Sequence, residues 1–168
     1  MTETPDPPNV DRFPNARTDH ECFGCGQQNP VGLRLRFTPG NDGVKASFTP
    51  SPEHQGFHDV VHGGIISTVL DEAMAWAVAR ARIWAVTGEM RVRFRHPLSV
   101  GEPTIATAGV SEIRGRIVTT SAELVRDGDR LTIATASATF VRVSADVETE
   151  WRARYLQHPN DPVASEES

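Results

Sequence analysis

One short segment carries residue types that could do chemistry together. It reads His62-Gly63-Gly64, and Asp71 follows eight positions after Gly63. Because glycines have no side chain, a ligand carbonyl could closely approach the free backbone N–H groups at the start of a helix, as in an oxyanion hole. A carboxylate such as that of Asp71 could act on the carbonyl carbon as a nucleophile or as a general base.

The surrounding pattern predicts one long, buried helix. Residues 63 to about 82 carry apolar side chains on nearly every face, and a helix that is apolar all round is a buried one. Asp71 therefore has apolar neighbours, among which a carboxylate is costly unless it is paired or used. Glu72 lies about 100° round the helix and is expected to be a salt-bridging or surface residue.

Distance along the helix limits how Gly63 and Asp71 can cooperate. At about 1.5 Å per residue they lie about 12 Å apart, so one chain cannot bring both to one carbon atom. If both act on one substrate, they come from two subunits. The spacing therefore predicts at least a homodimer, with the site across the subunit interface.

Strands are expected on both sides of this helix. Residues 33–37 alternate apolar and polar side chains as a strand does, and a second strand follows the turn cluster at 39–43. Residues 49–61 are predicted to form a loop. After the helix, three or four strands have the spacing of an antiparallel meander; they involve residues 90–95, 103–110, 116–125 and 131–143. Since one antiparallel sheet has to cover the helix, the predicted fold is α+β.

Length and composition are those of a single domain. The chain has 168 residues, 38% of them hydrophobic, and a formal charge of −5. We predict a flexible arm at residues 1–19, the domain at 20–145, and a short helix with a disordered acidic tail at 146–168. The acidic balance argues against a nucleic-acid partner. No apolar run approaches the ~20 residues that a bilayer needs and no signal peptide is recognisable, so we expect no membrane partner and a cytoplasmic location.

Cys22 and Cys25 form a Cys-x-x-Cys pair, with His20 close by. Structural zinc needs four ligands, and the chain has no second pair of this kind, so no metal site is expected. A structural disulfide is not expected in a reducing cytosol. The favoured interpretation is a turn of small residues that packs near the substrate, and a redox role depends on a thiol pKa that the sequence does not show.

The segment HGGIISTVLDEAMA resembles the active-site helix of the PaaI-type hot-dog acyl-CoA thioesterase family. That family's pattern is His-Gly-Gly with an acidic residue nine positions after the histidine, which is the offset from His62 to Asp71. The stretches MRVRFRHPLSVGEP and CFGCGQQNPVGLRLRF are similar to other family segments, so the resemblance covers about residues 20–143. It implies a hot-dog fold, in which an antiparallel sheet wraps around one long buried helix.

The resemblance implies hydrolysis of an acyl-CoA thioester to the free acid and coenzyme A, with no cofactor. Asp71 would be the catalytic carboxylate, the N–H of Gly63 would bind the thioester oxygen, and His62 would shape the loop that holds this N–H. Thr87 stands where some relatives carry a Ser or Thr that helps to place water. Tetramers are common in the family, so dimer and tetramer both stay open.

Contacts with the substrate are expected from Gly64, Gln55, His58, Arg91 and Arg93. Many relatives have an Asn six residues before the histidine, where this chain has Gly56, and Gln55 could replace that Asn if the loop shifts by one residue. The arginines share one face of a strand, and their geometry suits the phosphates of coenzyme A. A solvated face is the other interpretation.

Three other functions remain open. A hot-dog domain can bind acyl-CoA without hydrolysing it, because fold alone does not decide function. A hot-dog hydratase would need a His-Asp dyad motif, for which His58-Asp59 is a poor substitute. A purely structural interaction protein would need no polar group inside the helix.

Overall fold

A six-stranded antiparallel sheet with one long helix packed against it forms the core of this protein. The computed structural model describes residues 20–155, so the predicted arm at 1–19 and the tail after 155 lie outside the described residues. The strands are β1 (Thr38–Pro39), β2 (Val44–Phe48), β3 (Gln55–Phe57), β4 (Val60–Val61), β5 (Ala85–Phe94), β6 (Thr104–Arg114), β7 (Ile117–Arg126) and β8 (Thr132–Arg142). The helices are α1 (Gly63–Arg80) and α2 (Ala145–Tyr155), with a short 3-10 helix at Pro52–His54.

The order of strands across the main sheet is β1-β2-β6-β7-β8-β5, and β3 and β4 form a separate two-stranded sheet. This is the predicted α+β layout, with the long helix covered by the sheet. Among the described residues, no helix has both the length and the apolar character needed to cross a membrane.

Helix α1 is buried as predicted. Eight of its residues lie in the core: Ile66, Val69, Leu70, Ala73, Met74, Trp76, Ala77 and Val78. The helix ends at Arg80, earlier than the predicted residue 82. Arg82 has a φ of 57°, which lies in the left-handed region and cannot continue a right-handed helix.

Small side chains line the face of the sheet that receives α1. Cross-strand pairing places Ala106, Leu124 and Ala134 side by side, and none of the three has exposed surface. The next row along the strands consists of Ala108, Ala122, Ala136 and Val92. Because alanine projects so little from the sheet, the helix can approach closely and leave no space for water.

Strand β5 forms a long free edge of the sheet. Among the described residues it pairs only with β8. Most of its side chains are exposed, including Val86 at 48% and Phe94 at 52%. A ten-residue edge with unpaired backbone groups is a surface on which another strand can pair.

The prediction of a strand at residues 33–37 is wrong in its secondary structure and correct in its burial. Leu35 and Phe37 are buried, as the alternation indicated. The segment pairs with no strand, because Arg34 has a φ of 52° that interrupts the extended backbone. Instead, the Leu33 N–H donates a hydrogen bond to the Phe23 carbonyl, and the Leu35 N–H donates one to the Gly24 carbonyl. Both acceptors belong to the Cys22–Cys25 turn.

Other elements differ mainly in their extent. The predicted loop at 49–61 contains the 3-10 helix and the β3–β4 hairpin. All four strands predicted after α1 are present, and β5 begins at Ala85, before the predicted start. The predicted C-terminal helix is α2, whose Trp151 contacts Trp84 edge to face at 6.2 Å between ring centroids.

We predict that Leu124→Ala lowers the free energy of unfolding by about 2–5 kcal/mol, because the alanines on both sides cannot fill the cavity. Ile113→Ala on β6 is the matched control, since Ile113 is 48% exposed and should cost less than about 1 kcal/mol. Urea unfolding followed by circular dichroism measures both values. Equal losses in the two variants would contradict the placement of Leu124 in the core.

Candidate active site

The backbone N–H of Gly63 is available at the start of α1. His62 is the N-cap residue, and its Nδ1 accepts a hydrogen bond from the N–H of Gly64 at 2.9 Å. The N–H groups of Ile65 and Ile66 donate to the His62 carbonyl at 2.9 and 3.3 Å. Within residues 20–155 no group accepts a hydrogen bond from the Gly63 N–H, so this donor can bind a ligand oxygen.

An aromatic ring limits the space beside Gly63. A Cβ atom at this position would lie 3.3 Å from the ring of Phe94, at the end of β5. The Phe94 side chain is itself half exposed. A ligand that reaches the Gly63 N–H therefore meets an apolar wall on one side.

Asp71 is held by a hydroxyl group from β5. The Thr87 hydroxyl donates a hydrogen bond to Asp71 Oδ1 at 2.8 Å. Asp71 is only partly buried, and within the described residues no other side chain donates to its carboxylate. One carboxylate oxygen is therefore oriented by Thr87, while the other can bind water or substrate.

A β-bulge brings Thr87 to this position. The pairing of β5 with β8 shifts register between Thr87 and Glu89, so Gly88 is the extra residue. Bulges bend a strand and redirect its side chains, and they are frequent beside active sites. The alternation of β5 alone does not predict where the Thr87 hydroxyl points.

Gly64, Thr68, Asp71 and Ala75 form the open stripe of α1, all of them at least partly exposed. Their spacing of four, three and four residues places them on one face of the helix. The start of α1 and the Asp71 carboxylate therefore face the same side. About 12 Å of helix axis separates Gly63 from Asp71, so the structure brings Asp71 together with Thr87 and not with Gly63.

The β3–β4 turn contains the other residues predicted near His62. Gln55 Oε1 accepts a hydrogen bond from the N–H of Asp59 at 2.8 Å, so the Gln55 side chain holds this turn. Gly56 faces His62, since a Cβ atom at Gly56 would lie 3.1 Å from the His62 Cα atom. His58 is exposed. A substrate contact by Gln55 or His58 stays a prediction.

The arginines of β5 lie on the exposed face of the strand. Met90 and Val92 pack against the core, whereas Arg91 and Arg93 are exposed, which confirms the predicted alternation. Arg91 Nε pairs with Glu89 Oε1 at 2.9 Å, and both side chains are largely exposed. Such a pair contributes little to stability, so Arg91 can exchange Glu89 for another anion.

The part of the chain that contains these residues is similar to a known protein family. Residues 58–133 match the model of the thioesterase superfamily. The matched range includes Gly63, Asp71 and Thr87, whereas residues 20–57 lie outside it.

A curated relative agrees with this similarity. Acyl-coenzyme A thioesterase THEM4 of Xenopus laevis is 27% identical over 96 residues, which cover 57% of this chain and 43% of the relative. The chain therefore spans less than half of the length of that curated relative.

Solved structures agree as well. A variant of the phenylacetic acid degradation protein PaaI from Thermus thermophilus has a TM-score of 0.60 at 26% identity, covering 66% of this chain and 95% of that protein. A hypothetical thioesterase protein from Streptococcus pneumoniae, solved with coenzyme A, has a TM-score of 0.61 at 12% identity, covering 66% and 86%. The predicted PaaI-type hot-dog fold is thereby confirmed.

Sequence analysis missed the surroundings of Glu72. Glu72 was expected to be salt-bridging or on the surface, but it lies under the Cys22–Cys25 turn. The Cys22 Sγ atom is 3.7 and 3.8 Å from the two carboxylate oxygens. The turn and the carboxyl group are in close contact, since a Cβ atom at Gly24 would lie 2.5 Å from the Glu72 carboxyl carbon and would displace this side chain. The Cys-x-x-Cys spacing marked the turn as a feature of interest, but it did not indicate the contact with Glu72.

The contact shifts the ionisation of all three side chains. A hydrogen bond from the Cys25 thiol, helped by N–H groups of Cys25 and Gly24, lowers the pKa of Cys22 to about 5. The pKa of Cys25 is raised because its proton is held by Cys22 and because the thiol is buried. Burial, together with the negative charge of Cys22, raises the pKa of Glu72 to about 7.

We predict that Cys22 in the reduced, metal-free protein keeps its alkylation rate as the pH falls from 9 to about 6. The thiolate is the nucleophile, so an ordinary thiol loses about tenfold in rate per pH unit below a pKa of about 8.5, whereas a lowered pKa moves this loss to lower pH. Cys25→Ala removes the main donor and should move the midpoint upward. Iodoacetamide labelling followed by mass spectrometry measures both profiles, and a wild-type midpoint near 8.5 would contradict the assignment.

Proposed function

We propose that this protein hydrolyses an acyl-CoA thioester to the free acid and coenzyme A. The observation that carries the proposal is that α1 presents two groups suited to this chemistry. One is the available N–H of Gly63 at the helix start, and the other is the Asp71 carboxylate held by Thr87 at 2.8 Å. The curated relative named as an acyl-coenzyme A thioesterase supports the same substrate class.

In the proposed reaction, Asp71 either deprotonates a water that attacks the thioester carbon, or attacks that carbon itself to give an anhydride that water then hydrolyses. In both cases the C–S bond breaks and coenzyme A leaves as the thiol, while the acyl group becomes the free acid. The Gly63 N–H donates to the thioester oxygen as negative charge develops there. The His62 side chain holds the first turn through its bond to the Gly64 N–H. Thr87 fixes the rotation of the Asp71 carboxylate, so that its other oxygen faces the open stripe.

The proposed site lies between two subunits. Thr87 is near the beginning of β5 and contacts Asp71, while Phe94 is at its end and lies beside Gly63. If the free β5 edges of two copies pair antiparallel about a two-fold axis near Met90, the Thr87 end of one strand meets the Phe94 end of the other. Asp71 of one subunit then faces Gly63 of the partner subunit, which removes the 12 Å separation.

The coenzyme A moiety is proposed to contact the exposed arginines of β5. Arg91 and Arg93 lie on the same strand as Thr87 and Phe94, on its exposed face. A protein of the same fold was solved with coenzyme A. Guanidinium groups bind phosphate oxygens in a bidentate manner, and the weak bond from Arg91 to Glu89 offers little competition.

One observation favours non-catalytic acyl-CoA binding as the second candidate. The loop position of the relatives' Asn is Gly56 here, and it packs directly on His62. This position therefore supplies no polar side chain to the site, while the neighbouring Gln55 holds the β3–β4 turn. A protein of this kind would bind CoA esters without turnover.

We predict that Asp71→Asn lowers kcat/KM for acyl-CoA hydrolysis by at least about 100-fold, since a general base contributes about 10²–10⁴-fold. The amide has the shape of the carboxylate and can still accept the Thr87 hydrogen bond, so the fold should persist. Thiol release from a panel of acyl-CoAs measures the rate, and circular dichroism checks the fold. Asp127→Asn, an exposed carboxylate on the β7–β8 hairpin, is the control and should keep wild-type activity.

Wild-type protein that binds CoA esters but releases no thiol from any of them would support the binding module instead. Turnover that survives in Asp71→Asn would show that another group performs the chemistry.

The two-subunit site predicts that two inactive variants restore each other. Gly63→Pro removes the N–H at the first helical position, which tolerates proline, and His62 has the φ of −62° and ψ of 133° that a residue before proline adopts. When Gly63→Pro and Asp71→Asn subunits are refolded together, about half of the dimers are mixed and each holds one intact site. The expected activity is about one quarter of wild type, measured by thiol release.

Gly63→Ala is the matched control for this experiment. It adds the same Cβ atom beside Phe94 but keeps the N–H, so it should retain most of the activity that Gly63→Pro loses. Mixtures that stay inactive, although each variant forms dimers, would mean that Gly63 and Asp71 do not act together across an interface.

A further inference from the structure

Three metal-ligating side chains meet where the N-terminal turn rests on α1. Cys22 and Cys25 come from the turn and Glu72 comes from the helix, and their ligand atoms all lie within 4.8 Å of one another. This cluster takes no part in the proposed hydrolysis. It also uses residues outside the range that matches the thioesterase superfamily.

We propose that Cys22, Cys25 and Glu72 bind one zinc ion, which fastens the N-terminal turn to helix α1 beside Asp71. The site does not depend on the proposed acyl-CoA hydrolysis. The sequence indicated no metal site because only the two cysteines were evident as ligands; Glu72 supplies a third protein ligand, and water would complete the four ligands that zinc needs.

The distances suit a tetrahedral ion. With a Zn–S bond of about 2.3 Å and a Zn–O bond of about 2.0 Å, a thiolate sulfur and a carboxylate oxygen on one tetrahedral zinc lie about 3.5 Å apart. The Cys22 Sγ atom is already 3.7 and 3.8 Å from the Glu72 oxygens. A contraction of a few tenths of an ångström would therefore complete this edge of the coordination shell.

The chemistry of the donors selects the metal. Two thiolates and one carboxylate favour zinc over magnesium or calcium, which prefer oxygen ligands alone. The turn is shaped before any ion arrives, since the Gly26 N–H bonds to the Cys22 carbonyl at 2.8 Å.

The acidic character of the cluster also favours the binding of a cation. Among the side chains of residues 20–151, the structure pairs no basic group with the Glu72 carboxylate, whose oxygens are contacted by the Cys22 thiol. Asp71, the next residue along the chain, adds further negative charge. Protonation of these side chains could neutralise the negative charge instead. The experiment below distinguishes a protonated cluster from a zinc-bound one.

Metal binding is tested on the full chain, reduced and stripped with a chelator that is then removed. Cobalt(II) is added first because its spectrum reports tetrahedral geometry and thiolate ligation, and zinc is then titrated against the bound cobalt. We expect one cobalt per chain with a thiolate charge-transfer band, which zinc displaces. Cys22→Ser and Cys25→Ser should each weaken this band.

Glu72→Gln distinguishes the three-ligand site from a bare cysteine pair. Its affinity for zinc should fall by more than about tenfold, since even an outer-shell partner contributes 10–100-fold. Glu21→Gln, which removes an exposed carboxylate next to Cys22, is the matched control and should bind like wild type. Zinc should also raise the melting temperature of the wild type and of Glu21→Gln.

Two results would overturn the proposal: wild-type protein without a thiolate band in cobalt(II), or equal zinc affinity in wild type and Glu72→Gln. If Glu72→Gln does not fold, the wild-type cobalt spectrum decides, because a site built by the cluster requires tetrahedral ligation by two thiolates. None of these measurements uses acyl-CoA turnover, so failure here and failure of the proposed hydrolysis are distinguishable.

Discussion

Burial of helix α1 is the constraint on which the rest of the structure depends. Its side chains are apolar on nearly every face, so one layer of sheet cannot cover all of its apolar surface. The sheet contributes a face of alanines that lets the helix approach closely. The N-terminal segment covers another face, where Gly24 lies on Glu72 and Phe37 stacks on Trp76 at 5.2 Å, one helical turn further on.

This cover is incomplete along one stripe, and the candidate chemistry lies there. Asp71 is in the middle of the open stripe and Gly64 is at its start. A carboxylate under complete cover would lose its access to substrate, whereas one in bulk water would gain nothing from the apolar surroundings. The free edge of β5 borders the same region, since Thr87 on this strand contacts Asp71.

Residues of the candidate site were predictable to different degrees. Gly63, His62 and Asp71 belong to one helix, so their relative positions follow from helical geometry alone. Thr87 was proposed through a family resemblance, and its contact with Asp71 depends on a bulge at Gly88 that no alternation pattern reveals. The contact between Cys22 and Glu72 joins residues 50 positions apart, and no local periodicity carries information over that distance.

The sequence by itself determined the long buried helix, the strands that follow it and the alternation on β5, because each depends on contacts between neighbours a few residues apart. It also predicted that residues 35 and 37 are buried, but not what they pack against. Only the tertiary structure decided that the N-terminal turn lies on Glu72, that Thr87 reaches Asp71 and that β5 is an edge. These facts depend on strand order and on close packing between distant segments, which are set when the whole core is assembled.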